Sequence, residues 1–190
     1  MNTEPEHSHL YTALFCEENI WQLADSLIQQ AVKPSDLSIL FISNPDQQVA
    51  IFQQKSAAIN EPVIWDYHVV LLRKIGADFF IYDFDSRLGF KTSADDYLSL
   101  SFLDQELIKE QYHSQFRLTS ATSYLQNFSS DRSHMKGVIP EDQFPSYPPI
   151  ETASPSNKIT LQQYINFNQP LTDDESLLSV QELSDFLFKN

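Results

Sequence analysis

Cysteine is almost missing from this sequence: Cys16 is the only one among 190 residues. One thiol excludes an intramolecular disulfide framework. It makes a reduced, cytoplasmic compartment the expected one, with the nucleus added if the source is eukaryotic. Glycine is scarce as well, and three residues cannot build a glycine-rich phosphate loop. Positive charge is in short supply, with 12 Lys and Arg against 26 Asp and Glu, for a formal net charge of -14. Phosphate backbones and anionic headgroups are repelled by such a surface, so neither a nucleic acid nor a membrane is an expected partner, whereas a cationic one suits it. No apolar run reaches membrane-spanning length, and residues 1–10 lack the basic and apolar regions of a secretory leader; they read as a mobile tail.

What is abundant is apolar and aromatic surface: 42% hydrophobic residues, with 14 Phe and 8 Tyr, enough for the core of one domain spanning 1–190. After Cys16, the positions Ile20, Ala24, Leu27, Ile28 and Ala31 fall on one helical stripe that Lys33-Pro34 stops, so a helix is expected to begin at or near the cysteine. Residues 37–43 read as a buried strand closed by Asn44-Pro45-Asp46, with 49–53 as its hairpin partner and 54–62 as loop. Two β-rich runs, 63–73 and 78–85, flank the turn 74–77 and predict an antiparallel hairpin. Residues 93–112 read as helical and polar, 116–119 as a strand, and Tyr124, Leu125 and Phe128 as a short helix. The five prolines between Pro140 and Pro155 predict an ordered wrap over 140–157. Thr172-Asp-Asp-Glu175 has the form of a capping box opening a terminal helix over 172–188, with Leu178, Leu183, Phe186 and Leu187 inward.

Cys16 would ordinarily be core filler, but a helix start lowers a thiol's pKa, and an imidazole partner lowers it further. Glu17 and Glu18 oppose ionisation of the thiol while stabilising the helix start. His68 is the best-placed imidazole. His7 and His9 lie in the tail, His113 in a polar stretch and His134 in a loop. Alternation puts Asp66, His68, Val70 and Leu72 on one strand face, and Phe79, Ile81, Asp83 and Asp85 on one face of the next. Either Asp83 or Asp85 can then face His68, depending on how tight the turn is. A carboxylate there would orient the ring and stabilise imidazolium. With a single Cys and histidines at non-motif spacings, no metal site is suggested and no cofactor is required.

These residues sit in strings that resemble the protein N-terminal glutamine amidohydrolase family: Cys16-Glu-Glu-Asn-Ile-Trp21, Phe41-Ile-Ser-Asn44, Pro62-Val-Ile-Trp-Asp-Tyr-His-Val-Val-Leu-Leu72 and Ile81-Tyr-Asp83. Further strings are Ser123-Tyr-Leu-Gln-Asn-Phe128, Ser130-Asp-Arg-Ser-His-Met-Lys136 and Tyr147-Pro-Pro-Ile-Glu-Thr152, so the resemblance runs in order from about Tyr11 to Asn168. Beyond Asn168 an acidic linker stands where animal members carry a Gly-Trp-Gly element. The resemblance implies Cys16 as nucleophile, His68 as general base and Asp83 as the orienting carboxylate. It implies an α/β (α+β) fold similar to papain-like and transglutaminase-like cysteine hydrolases, with an antiparallel sheet and a nucleophile-bearing N-terminal helix. The implied reaction turns N-terminal glutamine of proteins and peptides into glutamate, without cofactor, by an enzyme expected to be a monomer. Asp66, Glu17 and Glu18 are candidates to bind the substrate's α-ammonium, Asp66 first, and Arg132, Ser133 and His134 to wall the pocket. Trp21, Trp65 and Tyr67 are expected in the core. Two rival readings are a deamidase acting on an internal glutamine and a binding module without turnover; the latter has no need of a thiol, base and orienter.

Overall fold

The computed structural model describes residues 10–103, 105–152, 155–168 and 177–189. Residues 39–42 and 69–72 are apolar without alternation, the pattern of strands covered on both faces. In chain order the elements are helix α1 (Cys16–Gln29), strands β1 (Leu37–Ser43), β2 (Val49–Ile51), β3 (Val63–Trp65), β4 (His68–Ile75), β5 (Asp78–Tyr82) and β6 (Lys91–Ser93), and helix α2 (Ala94–Ser101). There follow β7 (Gln115–Ser120), α3 (Ala121–Asn127), β8 (Phe128–Ser129), β9 (Ile159–Thr160), α4 (Leu161–Tyr164), β10 (Leu177–Ser179) and α5 (Val180–Phe188). Six strands form one sheet in the order β10-β7-β1-β4-β5-β6, every pairing in it antiparallel. The fold is thus mixed α/β with mostly antiparallel pairing. No helix among the described residues is long and apolar enough to cross a membrane.

Both faces of the sheet are covered. Leu37, Ile39 and Phe41 of β1 and Val69 and Leu71 of β4 pack under Ile20, Leu23 and Leu27 of α1 and Tyr124 of α3. Leu40, Ile42, Val70 and Leu72 face the other way, against Tyr97 and Leu98 of α2 and Leu183 and Leu187 of α5. Because α1 crosses the sheet with its stripe inward, its N-terminus arrives beside the start of β4, where Ile42 pairs with His68.

Several local expectations change. The helix α1 ends at Gln29, before the prolyl stop: Ala31 takes a left-handed φ of 66° and Val32 N–H returns to Leu27 O, so Ala31 leaves the stripe. β2 pairs with β3 rather than with β1, which spends both edges on β4 and β7. The run 63–73 is broken at Asp66 and Tyr67 into β3 and β4, two strands in different sheets. Among the described residues of 93–112, the helical structure is the eight-residue α2 and 3-10 turns at Gln105–Leu107 and Glu110–Tyr112. The expected capping box at 172–175 lies outside the described residues. The terminal helix starts later, at Val180, with a capping box of Ser179 and Glu182, and Leu178 lies in β10. Of the tail 1–10 only Leu10 is described. In the proline-rich segment, Ser130 N–H bonds Ile150 O and Thr152 N–H bonds the Ser129 hydroxyl.

Candidate active site

Helix α1 begins without a side-chain cap, since Phe15 occupies the N-cap position. The entry is fixed from inside the helix instead. The Asn19 amide accepts from Thr12 N–H at 2.9 Å and donates to Thr12 O at 2.8 Å, clipping a turn in which Leu14 is left-handed (φ 68°). That clip delivers Cys16, half-buried, to the first helical position, with the peptide N–H groups of the uncapped turn around it.

His68 opens β4 and is almost wholly buried. Its Nε2 lies 2.9 Å from Asp83 Oδ1, and its ring stacks on Trp65 at 5.9 Å, 12° from parallel. The hairpin register is tight, with only Gly76 and Ala77 between the paired Ile75 and Asp78, and Gly76 has the φ of 63° that such a turn requires. Continued past Leu71 and Tyr82, that register would put His68 across from Asp85. The strand stops at Tyr82 instead: Asp83 N–H turns to Phe90 O, and its side chain reaches His68 diagonally. Four donors converge on Asp83. His68 and Asp85 N–H bond Oδ1, and the Gln54 amide (3.1 Å) and Tyr97 hydroxyl (2.9 Å) bond Oδ2.

Burial alone would raise the Asp83 carboxyl, yet the His68 charge and hydrogen bond, with Gln54 and the Asp85 N–H, hold it below the usual carboxylate range. Burial would likewise depress His68, but Asp83 first, then Asp85 and Glu17, hold the imidazole above its ordinary value. An ionised Asp83 only accepts, so the shared proton sits on Nε2 and leaves Nδ1 as the basic ring atom. Burial also pushes the Cys16 thiol up, as do Glu17, Asp85 and Asp83, while the Val69 N–H works the other way. His68, Asp83 and Asp85 have donor atoms within 4.8 Å of one another. Within that cluster Asp83 accepts the four hydrogen bonds above, and Asp85 Oδ1 accepts the Tyr11 hydroxyl.

A cavity of about 370 Å³ opens at this end of the sheet, within the range of small-ligand clefts, and Cys16 and His68 both line it. The family model described as N-terminal glutamine amidase matches residues 11–187. Three relatives, each called protein N-terminal glutamine amidohydrolase, align over most of their length. That of Bos taurus is 39% identical, covering 86% of this chain and 80% of its own. That of Danio rerio is 38% identical, over 94% of this chain and 87% of its own. That of Homo sapiens is 38% identical, over 86% and 81%. The chain belongs to the N-terminal glutamine amidase family.

In this amidase the remaining sequence candidates fall into two groups. Asp66 and His134 line the cavity. Asp66 does so from an exposed bend before β4 rather than from the strand face of His68, and its Oδ1 accepts the Tyr67 N–H. Glu18 and Arg132, by contrast, are both buried and bind each other in a fork, at 2.9 and 2.7 Å, with Arg132 also donating to Pro145 O and lying over the Tyr147 ring. Their pairing anchors the 129–147 segment to α1. Ser133 is exposed and follows Arg132 in a short 3-10 turn. Glu17 is fully buried, accepting from the Tyr67 hydroxyl at 3.0 Å. Tyr67 is buried in the core as expected, with Trp21 packed against the same cluster and Trp65 against the other, and Trp65 and Tyr67 also line the cavity. Gln54, Tyr97, Tyr11 and Asn19 were not singled out by sequence. Tyr11 bonds Asp85 Oδ1 at 2.7 Å at the cavity edge. Only for Asn19 is there a sequence signal, the amide three residues into an otherwise uncapped helix.

Proposed function

We propose that this protein hydrolyses the side-chain amide of an N-terminal glutamine in proteins and peptides, giving N-terminal glutamate and ammonia. The observation that carries the reading is the Cys16 thiol at the start of α1, opening into the same cavity as an imidazole whose far nitrogen is held by a four-fold-bonded carboxylate. His68 Nδ1 takes the thiol proton as the sulfur attacks the amide carbon, and peptide N–H groups at the helix start, that of Cys16 included, hold the oxyanion. The protonated His68 then gives its proton to the departing ammonia. Water, deprotonated by the same ring, hydrolyses the thioester, and Asp83 keeps the imidazole oriented throughout. A nucleophile on a helix start, with its base opening β4 and its carboxylate just past the end of the antiparallel β5, supports a papain-like or transglutaminase-like arrangement. No step in this scheme requires a metal or organic cofactor, and the reading takes the chain as one monomeric, cytoplasmic domain.

The test compares ammonia release from peptides beginning with Gln, Asn and acetyl-Gln. Turnover of the Gln peptide, loss with Asn and acetyl-Gln, and a fall of at least ~10³-fold in Cys16→Ala are expected. Ammonia release by Cys16→Ala near the wild-type rate would rule out the thiol mechanism. Equal rates with and without acetylation would favour an internal-glutamine deamidase.

A further inference from the structure

Cys16 stands among negative charges. Glu17 is wholly buried and puts Oε2 3.7 Å from the Cys16 sulfur. Its Oε1 makes no hydrogen bond and faces His134 Nε2 at 3.6 Å, a nitrogen that also makes none. Asp66 and Asp85 line the cavity beside Cys16, and Asp83 stands behind His68. No Lys or Arg is among the described residues that line it. His134, the remaining basic side chain there, is held below its ordinary pKa by burial, although Asp131, Asp66 and Glu18 pull it up. Around Cys16, then, the titratable neighbours are Tyr11 before α1, Glu17 from α1, Tyr67 and His68 at the start of β4, Asp83 and Asp85 after β5, Tyr124 from α3 and His134 from the 133–135 turn. The balance is acidic, and it opposes ionisation of the thiol.

We propose that the substrate supplies the missing positive charge: the α-ammonium of the N-terminal glutamine docks at Asp66 and Asp85, offsetting the buried Glu17 carboxyl beside the sulfur, and only then does Cys16 surrender its proton to His68. The inference deepens the proposed reaction and rests on it. In a glutamine residue two methylene groups separate the amide carbon from the α-carbon. The ammonium therefore lies at most about 5 Å from the carbon under attack, and a side chain folded back toward Cys16 brings it within the range over which an opposite charge promotes ionisation of the thiol. The proton balance is simple. The S–H bond breaks, its proton goes to His68 Nδ1, the electron pair left on sulfur forms the C–S bond, and the ammonium keeps its own protons. A substrate with a neutral end binds over a thiol that stays protonated, so selectivity for the chain terminus is exerted on turnover as well as on binding.

The test uses the wild-type protein with two peptides, one beginning with Gln and one in which that residue is replaced by 4-carbamoylbutanoyl, which lacks only the amine and adds no bulk. The expected result near neutral pH is a kcat at least ~10-fold lower for the des-amino peptide. That kcat should also climb with pH over a range in which the Gln peptide is already level. Equal kcat values, with the whole difference in KM, would show the amine to be an anchor and overturn the proposal. Glu17→Gln takes the ionisable carboxyl away from the sulfur and keeps an acceptor for the Tyr67 hydroxyl, so the kcat gap between the two peptides should narrow. An unchanged gap with both rates equally reduced would remove Glu17 from the proposal as a merely structural residue. Should that variant fail to fold, the wild-type comparison decides alone. Absence of ammonia from the Gln peptide would instead overturn the proposed reaction itself.

Discussion

At the scale of single residues, Glu17 is where chemistry and stability conflict. Burial, opposed by its own peptide N–H and the Tyr67 hydroxyl, lifts its carboxyl from 4.5 to about 7. The folded state therefore binds more protons than the unfolded one across that interval, and stability falls as pH rises through it. The cost above pH 7 is about 3 kcal/mol at most. Glu17→Gln should accordingly be more stable than wild type at about pH 8, and the gain should vanish by about pH 5, as urea unfolding at the two pH values would report. The His68–Asp83 pair behaves oppositely. The lowered Asp83 carboxyl contributes stability that is lost as pH falls through its folded pKa, and the raised His68 contributes stability lost as pH rises through its own. The pair holds best between those limits.

At the scale of elements, the residues that announce themselves are those whose role is local. The helix at Cys16 follows from its stripe, and the strand at His68 from its apolar run. The choice between Asp83 and Asp85 does not follow from alternation, because the register favours Asp85 and only the early stop of β5 at Tyr82 turns Asp83 toward the ring. Gln54 and Tyr97 could not be read from the sequence, since each meets Asp83 through tertiary packing, from a loop and from α2. The break at Asp66 and Tyr67 was hidden by a β-rich run that continues through it. Glu18 and Arg132, far apart in sequence, show the same limit. As a buried pair they hold the 129–147 segment on the first turn of α1. Arg132→Ala leaves a buried carboxylate without its partner and should cost about 3–5 kcal/mol, measured by denaturant unfolding. Replacing both members by apolar residues of similar size should recover most of that.

At the scale of the whole molecule, a formal charge of -14 and a cavity lined by Asp66 and Asp85, with no Lys or Arg among the described residues that line it, belong to one field. On the proposed reading that field draws in a cationic chain end. The proposed reaction then changes the charge of what it holds: a neutral amide enters and a carboxylate is left beside the same acids. Substrate and product share the ammonium, so the difference between them is a negative charge placed where the wall is already negative. The cavity is thereby built to let go. A peptide beginning with Glu should inhibit with a Ki at least ~10-fold above the KM of its Gln counterpart, as progress curves with added product would show. Release of the finished chain end, in this protein, is driven by the same charges that admitted it.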